Sequence, residues 1–136
     1  MSFYKLVYAS KFKPGIDPSE LAKIHLLAGR NNKKNDITGV LIFGNDYFLQ
    51  YIEGTSEALN TLYSKVINDP RHEDVRLLDY SAIPERLFEK WAMKLFMLTE
   101  ENLKIAENLT QTKDYNPQKM NGATALKFIQ TFLTQH

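Results

Sequence analysis

The chain has 136 residues, of which 43% are hydrophobic and 24% charged, and its 17 basic and 16 acidic residues leave a formal charge of +1. This composition is typical of one globular domain, and the near-neutral charge argues against direct nucleic-acid binding and against an anionic membrane surface. The chain has no cysteine and only three widely spaced histidines, which excludes thiol chemistry and predicts no metal site. No apolar run is typical of a membrane span or a signal peptide, so we expect a cytoplasmic protein.

Strand and helix signals alternate along the first part of the chain. Asp17 and Pro18 are typical of the cap and first position of a helix, and the turn residues Gly44-Asn45-Asp46 join two apolar segments into a β-hairpin. In chain order the pattern predicts strand 3–10, a turn at Lys13-Pro14-Gly15, a helix from Asp17 to the polar run 30–36, strands 37–43 and 47–53, a helix from Thr55 to about residue 67, strands 75–83 and 91–98 separated by a loop over 84–90, and two helices after residue 98.

The predicted order of elements, βαββαββ, indicates an α+β fold. It is the order of a ferredoxin-like sheet with one extra strand, both helices on one face, and a C-terminal extension of two helices. We expect residues 1–98 to form the domain and residues 99–136 to form a helical extension. The last helix has an apolar face that includes Phe128, Ile129 and Phe132, so it needs to pack on the domain or on a partner.

Gln50 is the most informative polar residue. Alternation in strand 47–53 places it on the face of Phe48 and Ile52, which favours burial, and a buried amide without partners costs about 1–3 kcal/mol. The alternative is a surface glutamine on a strand whose other face is buried. Tyr8, in the first strand, is by itself typical of a core tyrosine with a satisfied hydroxyl.

Other conspicuous residues also allow a structural interpretation. Asn31 and Asn32 are suited to ending a helix, but two amides can also bind a ligand with carbonyl and imide groups. Trp91 and Met93 are two apart on the predicted fifth strand, so we expect them to share a face and fill the core. His25 is predicted to lie on the surface of the first helix.

Several segments stand in a specific order and spacing. They are Leu6-Val7-Tyr8-Ala9-Ser10, Arg30-Asn31-Asn32 before Ile37-Thr38-Gly39-Val40-Leu41, Phe48-Leu49-Gln50-Tyr51-Ile52-Glu53-Gly54, Asp69-Pro70-Arg71-His72, and Arg86-x-Phe88-x-x-Trp91-x-Met93. Together they resemble the BLUF family, the blue-light sensors that use flavin. The resemblance spans roughly residues 3–98, and the remaining tail is similar to that of short BLUF proteins without a fused effector domain.

The resemblance implies a cofactor and a role for each matching residue. The implied cofactor is FAD, with FMN or riboflavin as alternatives, held between the two helices. Tyr8 is implied as the electron and proton donor and Gln50 as the switching amide, while Trp91 and Met93 match the pair that reports the flavin state to the fifth strand. The other implied flavin contacts are Ile24, Arg30, Asn31, Asn32, Phe48, Lys65, Val66, Asp69, Arg71 and His72.

The sequence departs from the family pattern at three positions outside the Tyr8–Gln50 pair. Lys65 replaces a frequent arginine, Ala92 a usual serine, and Asp36 a common glycine. The resemblance implies a non-enzymatic receptor that signals to a downstream protein and forms homo-oligomers.

Two other interpretations stay open on the residues alone. One is a small ferredoxin-like enzyme of the acylphosphatase type, although the expected phosphate-cradling loop is missing. The other is a ligand-free regulatory or oligomerisation module.

Overall fold

A computed structural model describes residues 2–13, 15, 17–88 and 91–135. Its elements are β1 (Phe3–Phe12), α1 (Pro18–Lys34), β2 (Thr38–Gly44), β3 (Tyr47–Gly54), α2 (Ser56–Ile67), β4 (His72–Ile83), β5 (Lys94–Met97), α3 (Glu100–Thr110), a short 3-10 turn (Pro117–Lys119) and α4 (Gly122–Gln135). The predicted α+β class and order of elements are confirmed. Pro14 of the predicted first turn, and residues 89 and 90 of the predicted loop, lie outside the described residues.

The five strands form one mixed sheet in the order β4-β1-β3-β2-β5. The first four strands pair antiparallel, as in a ferredoxin-like sheet, and β5 adds to the edge parallel to β2. Two strand boundaries differ from the prediction, because β4 begins at His72 and β5 spans only Lys94–Met97. Just before β5, the carbonyl of Ala92 accepts a hydrogen bond from the side chain of Asn32 at 2.9 Å rather than from a neighbouring strand. Contacts from α1 therefore delay the start of the strand.

Helices cover both faces of the sheet, and each face has its own core. Alternate residues of β3 serve the two cores, because successive side chains of a strand point to opposite faces. On the α1/α2 face the buried side chains include Leu6, Tyr8, Phe48, Ile52 and Leu59. On the α3/α4 face they include Val7, Leu49, Tyr51, Phe128 and Phe132. The apolar side of α4 thus packs on the sheet, while the division of the chain at residue 98 stays a prediction.

A buried carboxylate ties the segment after β4 to the sheet. Glu53 is fully buried at the end of β3, on the α3/α4 side. Its carboxylate accepts hydrogen bonds from the Thr38 hydroxyl at 2.9 Å, the Tyr51 hydroxyl at 3.2 Å, the Leu87 amide at 2.9 Å and the Phe88 amide at 2.7 Å. Four donors compensate the cost of burying the charge, so this network fixes the segment that leads to Trp91.

β4 is a long edge strand with an irregular pairing. It has 12 residues, and its register with β1 shifts at two places. Its charged side chains form ion pairs, Arg76 with Asp74 at 3.0 Å and Asp79 with Lys5 of β1 at 3.0 Å. The Gln118 side chain donates to the Asp74 carbonyl at 2.6 Å. Over the described ranges, none of the helices has the length and apolar character needed to cross a membrane.

Candidate functional site

Three side chains stand in a row on the α1/α2 face of three adjacent strands. Gln50 on β3 is directly opposite Tyr8 on β1 and Leu41 on β2. Opposed residues of antiparallel strands have Cβ atoms about 4.5–5.5 Å apart, so Tyr8 and Gln50 are immediate neighbours. Gln50 is only 4% exposed, because β3 is the central strand and is covered on both faces. Burial of this amide is therefore confirmed, and the surface alternative is wrong.

A cavity of about 220 Å³ lies between α1 and α2, with this row of side chains in its lining. Ile24 of α1 and Val66 of α2 contribute apolar walls, and Phe48 of β3 adds an aromatic one. A second cavity of about 350 Å³ adjoins it, because both are lined by Asn31, Asn32, Leu62 and Lys65. The two helices thus enclose an apolar space with polar groups at its ends, which is typical of a small-molecule site.

Most of the cofactor contacts implied by the sequence come together in this one cavity. Those that line it are Tyr8, Ile24, Asn31, Asn32, Phe48, Gln50, Lys65, Val66, Asp69, Arg71 and His72. Arg30 lines a separate groove with Trp91 and Met93. Since α1 continues to Lys34, Arg30 and Asn32 point roughly 200° apart around the helix axis. Sequence reasoning missed Leu27, Ala28, Leu41 and Leu62, although the apolar stripes of the helices include three of them.

Asn32 presents an unpaired acceptor to the cavity. Its side chain is 1% exposed, and its Nδ2 donates to the Ala92 carbonyl at 2.9 Å. Its Oδ1 is buried and has no hydrogen-bond partner in the described part of the chain. Buried polar atoms nearly always have a partner, so this oxygen fits a ligand that brings an N–H donor, as the imide of a flavin does.

Tyr8 keeps its proton firmly in this environment. The ring is 2% exposed, and burial raises the pKa of the phenol well above its usual value. The nearby Tyr63 and Asp69 raise this pKa further, because they oppose a negative charge on Tyr8. A buried phenol of this kind is uncharged at neutral pH, and it becomes strongly acidic when it is oxidised.

Asp69, Arg71 and His72 form the polar end of the cavity. The Arg71 guanidinium holds the Asp69 carboxylate with hydrogen bonds of 2.6–3.1 Å, which keeps the pKa of Asp69 below its usual value. His72 Nδ1 lies 2.7 Å from the Ser10 hydroxyl, and its ring stacks on Phe12. Burial lowers the pKa of His72, so the imidazole is uncharged at neutral pH. In the described lining of the cavity, the cations near an anionic group of a ligand are therefore the exposed Lys65 and Arg71, of which Arg71 is already paired with Asp69.

Trp91 and Met93 lie on opposite faces of the sheet, so the prediction that they share a face is wrong. Met93 belongs to the α1/α2 core, where the Gln50 amide donates to its sulfur at 3.4 Å. Trp91 packs in the α3/α4 core and stacks on Phe88 with ring centroids 5.6 Å apart. The face rule for strands does not apply because both residues precede β5.

His25 lies on the surface of α1, as predicted, but it also makes a specific contact. Its side chain is half-buried, and its Nε2 donates a hydrogen bond to the Met93 carbonyl at 3.0 Å. His25 thereby connects α1 to the residue that contacts Gln50.

Comparisons with known proteins settle the family. The family model described as "BLUF: Sensors of blue-light using FAD" matches residues 3–94. The chain belongs to the BLUF family. The resemblance inferred from the sequence is thus confirmed, and with it the interpretation as a blue-light sensor rather than an acylphosphatase-type enzyme or a ligand-free module.

Two curated relatives are much longer than this chain. The blue light- and temperature-regulated antirepressor BluF of Escherichia coli (strain K12) is 30% identical over 131 residues, covering 94% of this chain and 32% of BluF. The photoactivated adenylate cyclase subunit beta of Euglena longa is 32% identical over 124 residues, covering 82% of this chain and 14% of that subunit. This BLUF chain therefore spans about a third or less of these relatives.

Solved structures share the fold, two of them over nearly the whole chain. The photo-activated state of BlsA has a TM-score of 0.87 at 27% identity and covers 96% of this chain and 94% of its own. The dark state of the BLUF protein BlrB has a TM-score of 0.81 at 22% identity, covering 98% and 96% of the two chains, and shows the common fold. A bacterial light-regulated adenylyl cyclase matches with a TM-score of 0.73 at 33% identity, over 80% of this chain and 33% of its own.

Proposed function

We propose that this BLUF protein binds FAD in the cavity between α1 and α2 and signals by rearranging the hydrogen bonds of Gln50. The observation that carries the proposal is the direct opposition of Tyr8 and Gln50 in the lining of a cavity that also presents the unpaired Oδ1 of Asn32. Ile24 and Val66 provide apolar walls for a flat ring, and Asn32 and Gln50 provide amides for its polar edge. Arg71 and Lys65 favour a phosphate-bearing flavin, FAD or FMN, over riboflavin.

Tyr8 and Gln50 have complementary tasks in this mechanism. A bound flavin supplies a strong oxidant when it absorbs blue light. With flavin bound, Tyr8 would give an electron and then its phenolic proton to the excited flavin and would take both back at the end, so neither the protein nor the flavin would be oxidised or reduced overall. Gln50 can relay the proton because its amide has a donor end and an acceptor end. The lasting change is a rotated or tautomerised Gln50 amide.

Met93 is the first residue outside the cavity lining that such a change affects. In the present arrangement the Gln50 amide nitrogen donates to the Met93 sulfur, and a rearranged amide no longer does so. One hydrogen bond is worth about 1 kcal/mol, which is enough to bias an element that already has two arrangements. The segment 91–93 and β5 form that element, because Met93 is the last residue of the segment and β5 begins at the next residue.

The output of this receptor is contact with a downstream protein rather than catalysis. This chain matches only 14% of the photoactivated cyclase subunit, so the cyclase activity of that subunit is not assigned to this chain. A homo-oligomer and a cytoplasmic location stay predictions.

Two substitutions test the mechanism through the visible spectrum. We expect Tyr8→Phe and Gln50→Leu to retain bound flavin but to lose the small red shift that blue light causes in the wild-type protein. Tyr47→Phe is the matched control, because Tyr47 packs on the α3/α4 face and not beside Tyr8, and it should leave the shift intact. A full red shift in either of the first two variants, or a wild-type protein that binds no flavin, contradicts the proposal.

A further inference from the structure

Three consecutive peptide carbonyls before β5 each accept a hydrogen bond from a different donor. Two of the donors are side chains of α1, and the third is a backbone amide of β2. The pairs are Gly39 N to Trp91 O at 2.8 Å, Asn32 Nδ2 to Ala92 O at 2.9 Å, and His25 Nε2 to Met93 O at 3.0 Å. Residues 91–93, which connect the two cores, are thus fixed by one hydrogen bond to each of their carbonyls.

The three donors differ in what else they touch. Gly39 is fixed by packing, since a Cβ there would clash with the Tyr51 carbonyl. Asn32 lines the proposed flavin cavity, so changing it alters the ligand site as well. His25 does not line that cavity and lies in the groove beside Met93. It is therefore the donor through which the segment can be loosened without touching the ligand site.

We propose that His25 is a positioning residue for the light reaction, acting on Gln50 through Met93. Its hydrogen bond fixes the backbone of the residue whose sulfur accepts from the Gln50 amide, at 3.0 and 3.4 Å respectively. A thioether is a weak acceptor, so its contact with Gln50 depends on accurate placement. This role rests on the proposed function, and it assigns His25 to stabilising the dark arrangement of Gln50.

The rate at which the red-shifted protein returns to its original spectrum in the dark, the dark-recovery rate, tests this role of His25. Without the His25 hydrogen bond, both the arrangement to which Gln50 returns and the transition state that already resembles it are less stable, and recovery becomes slower. We expect His25→Leu to bind flavin and to show the full red shift but to recover more slowly, by up to about five-fold, which is the limit in which the transition state loses the whole of about 1 kcal/mol for one hydrogen bond. His25→Gln places an amide N–H near the position of Nε2 and should restore the wild-type rate. Lys33→Gln, in the same groove, is the control that leaves the rate unchanged.

A vibrational signature separates positioning from general stabilisation. With the carbonyl carbons of methionine labelled with ¹³C, the band of the Met93 carbonyl is the one that disappears in Met93→Leu. We expect this band to move to higher frequency in dark His25→Leu and to stay in place in His25→Gln, because a carbonyl without a donor is stiffer. A merely structural role would lower the unfolding temperature without this selective shift.

The outcomes distinguish this role from the proposed function. Wild-type recovery in His25→Leu, an unshifted Met93 band, or failure of His25→Gln to restore the rate overturns the role of His25 while the red shift of the wild-type protein stands. A wild-type protein without a red shift overturns the proposed function, and the light-reaction role of His25 with it.

Discussion

The two faces of the sheet are built on the same strands but differ in how they are packed. On the α3/α4 face, aromatic rings fill the space, with Tyr51 5.1 Å from Phe88 and Phe128 5.4 Å from Phe132. On the α1/α2 face, a cavity is left between two helices, and Gln50 and Tyr8 are buried in its lining. β3 serves both faces through alternate residues. A close-packed face resists change, whereas a cavity leaves room for a side chain to rearrange, so the adjustable contacts belong to the α1/α2 face.

The largest effect on stability should come from removing a buried aromatic side chain from the α3/α4 face. Phe128 is fully buried there, and we expect Phe128→Ala to lower the free energy of unfolding by about 3–5 kcal/mol through lost burial and a new cavity. Urea denaturation measures it, and the exposed neighbour Lys127→Ala should change stability by less than about 0.5 kcal/mol. A loss below about 1 kcal/mol for Phe128→Ala would remove the contrast between the faces.

A smaller loss of stability should follow from replacing the buried carboxylate of Glu53, on the same face, with a neutral amide. Glu53→Gln places an amide NH₂ where four donors converge, so at least one donor loses its acceptor. We expect a loss of about 1–3 kcal/mol in the free energy of unfolding. Glu57→Gln, at an exposed position, is the control. If both variants are equally stable, the network does not hold the segment after β4.

The smallest effect concerns His72 on the cavity face. Burial lowers the pKa of His72 in the folded protein, so below about pH 6.5 the unfolded chain binds a proton that the folded one excludes. This residue therefore makes the protein less stable as the pH falls through that range. We expect wild-type protein to lose more stability between pH 7.5 and 5.5 than His72→Phe, measured by urea denaturation at each pH. If the two proteins lose equal amounts of stability, the pKa of His72 is not lowered in the folded protein.

The burial of Gln50 could be predicted from the sequence because it depends on local order, since alternation in β3 places Gln50 on the buried face. Its opposition to Tyr8 joins two strands that are far apart in the chain, and the sequence indicated this pair only through the resemblance to the BLUF family. The placement of Trp91 and Met93 was out of reach. The faces of Trp91 and Met93 depend on where β5 begins. The start of β5 depends on the hydrogen bond from Asn32 of α1 to Ala92, which lies 60 residues later in the chain.

His25 and Arg30 show the same limit on one helix. The partner of His25 lies 68 residues away, and no local pattern announces such a bond. Arg30 was predicted to contact the ligand together with Asn32 because the two residues are close in the chain. Helix α1 continues through both residues, however, so their side chains point to different sides of the helix. Most residues of the family motif come together in one cavity, whereas the rotation of α1 decides which residues of that helix line it.

The irregular outer strand β4 has a consequence for how copies of this protein can associate. An unprotected edge strand invites another strand to add to it, which leads to aggregation. Here the shifted register, the charges of Asp74 and Arg76, and the Gln118 side chain on the Asp74 carbonyl all interrupt a regular row of free backbone groups. Association through this edge is disfavoured, so a homo-oligomer that continues the sheet from the β4 edge of one molecule into another is not expected.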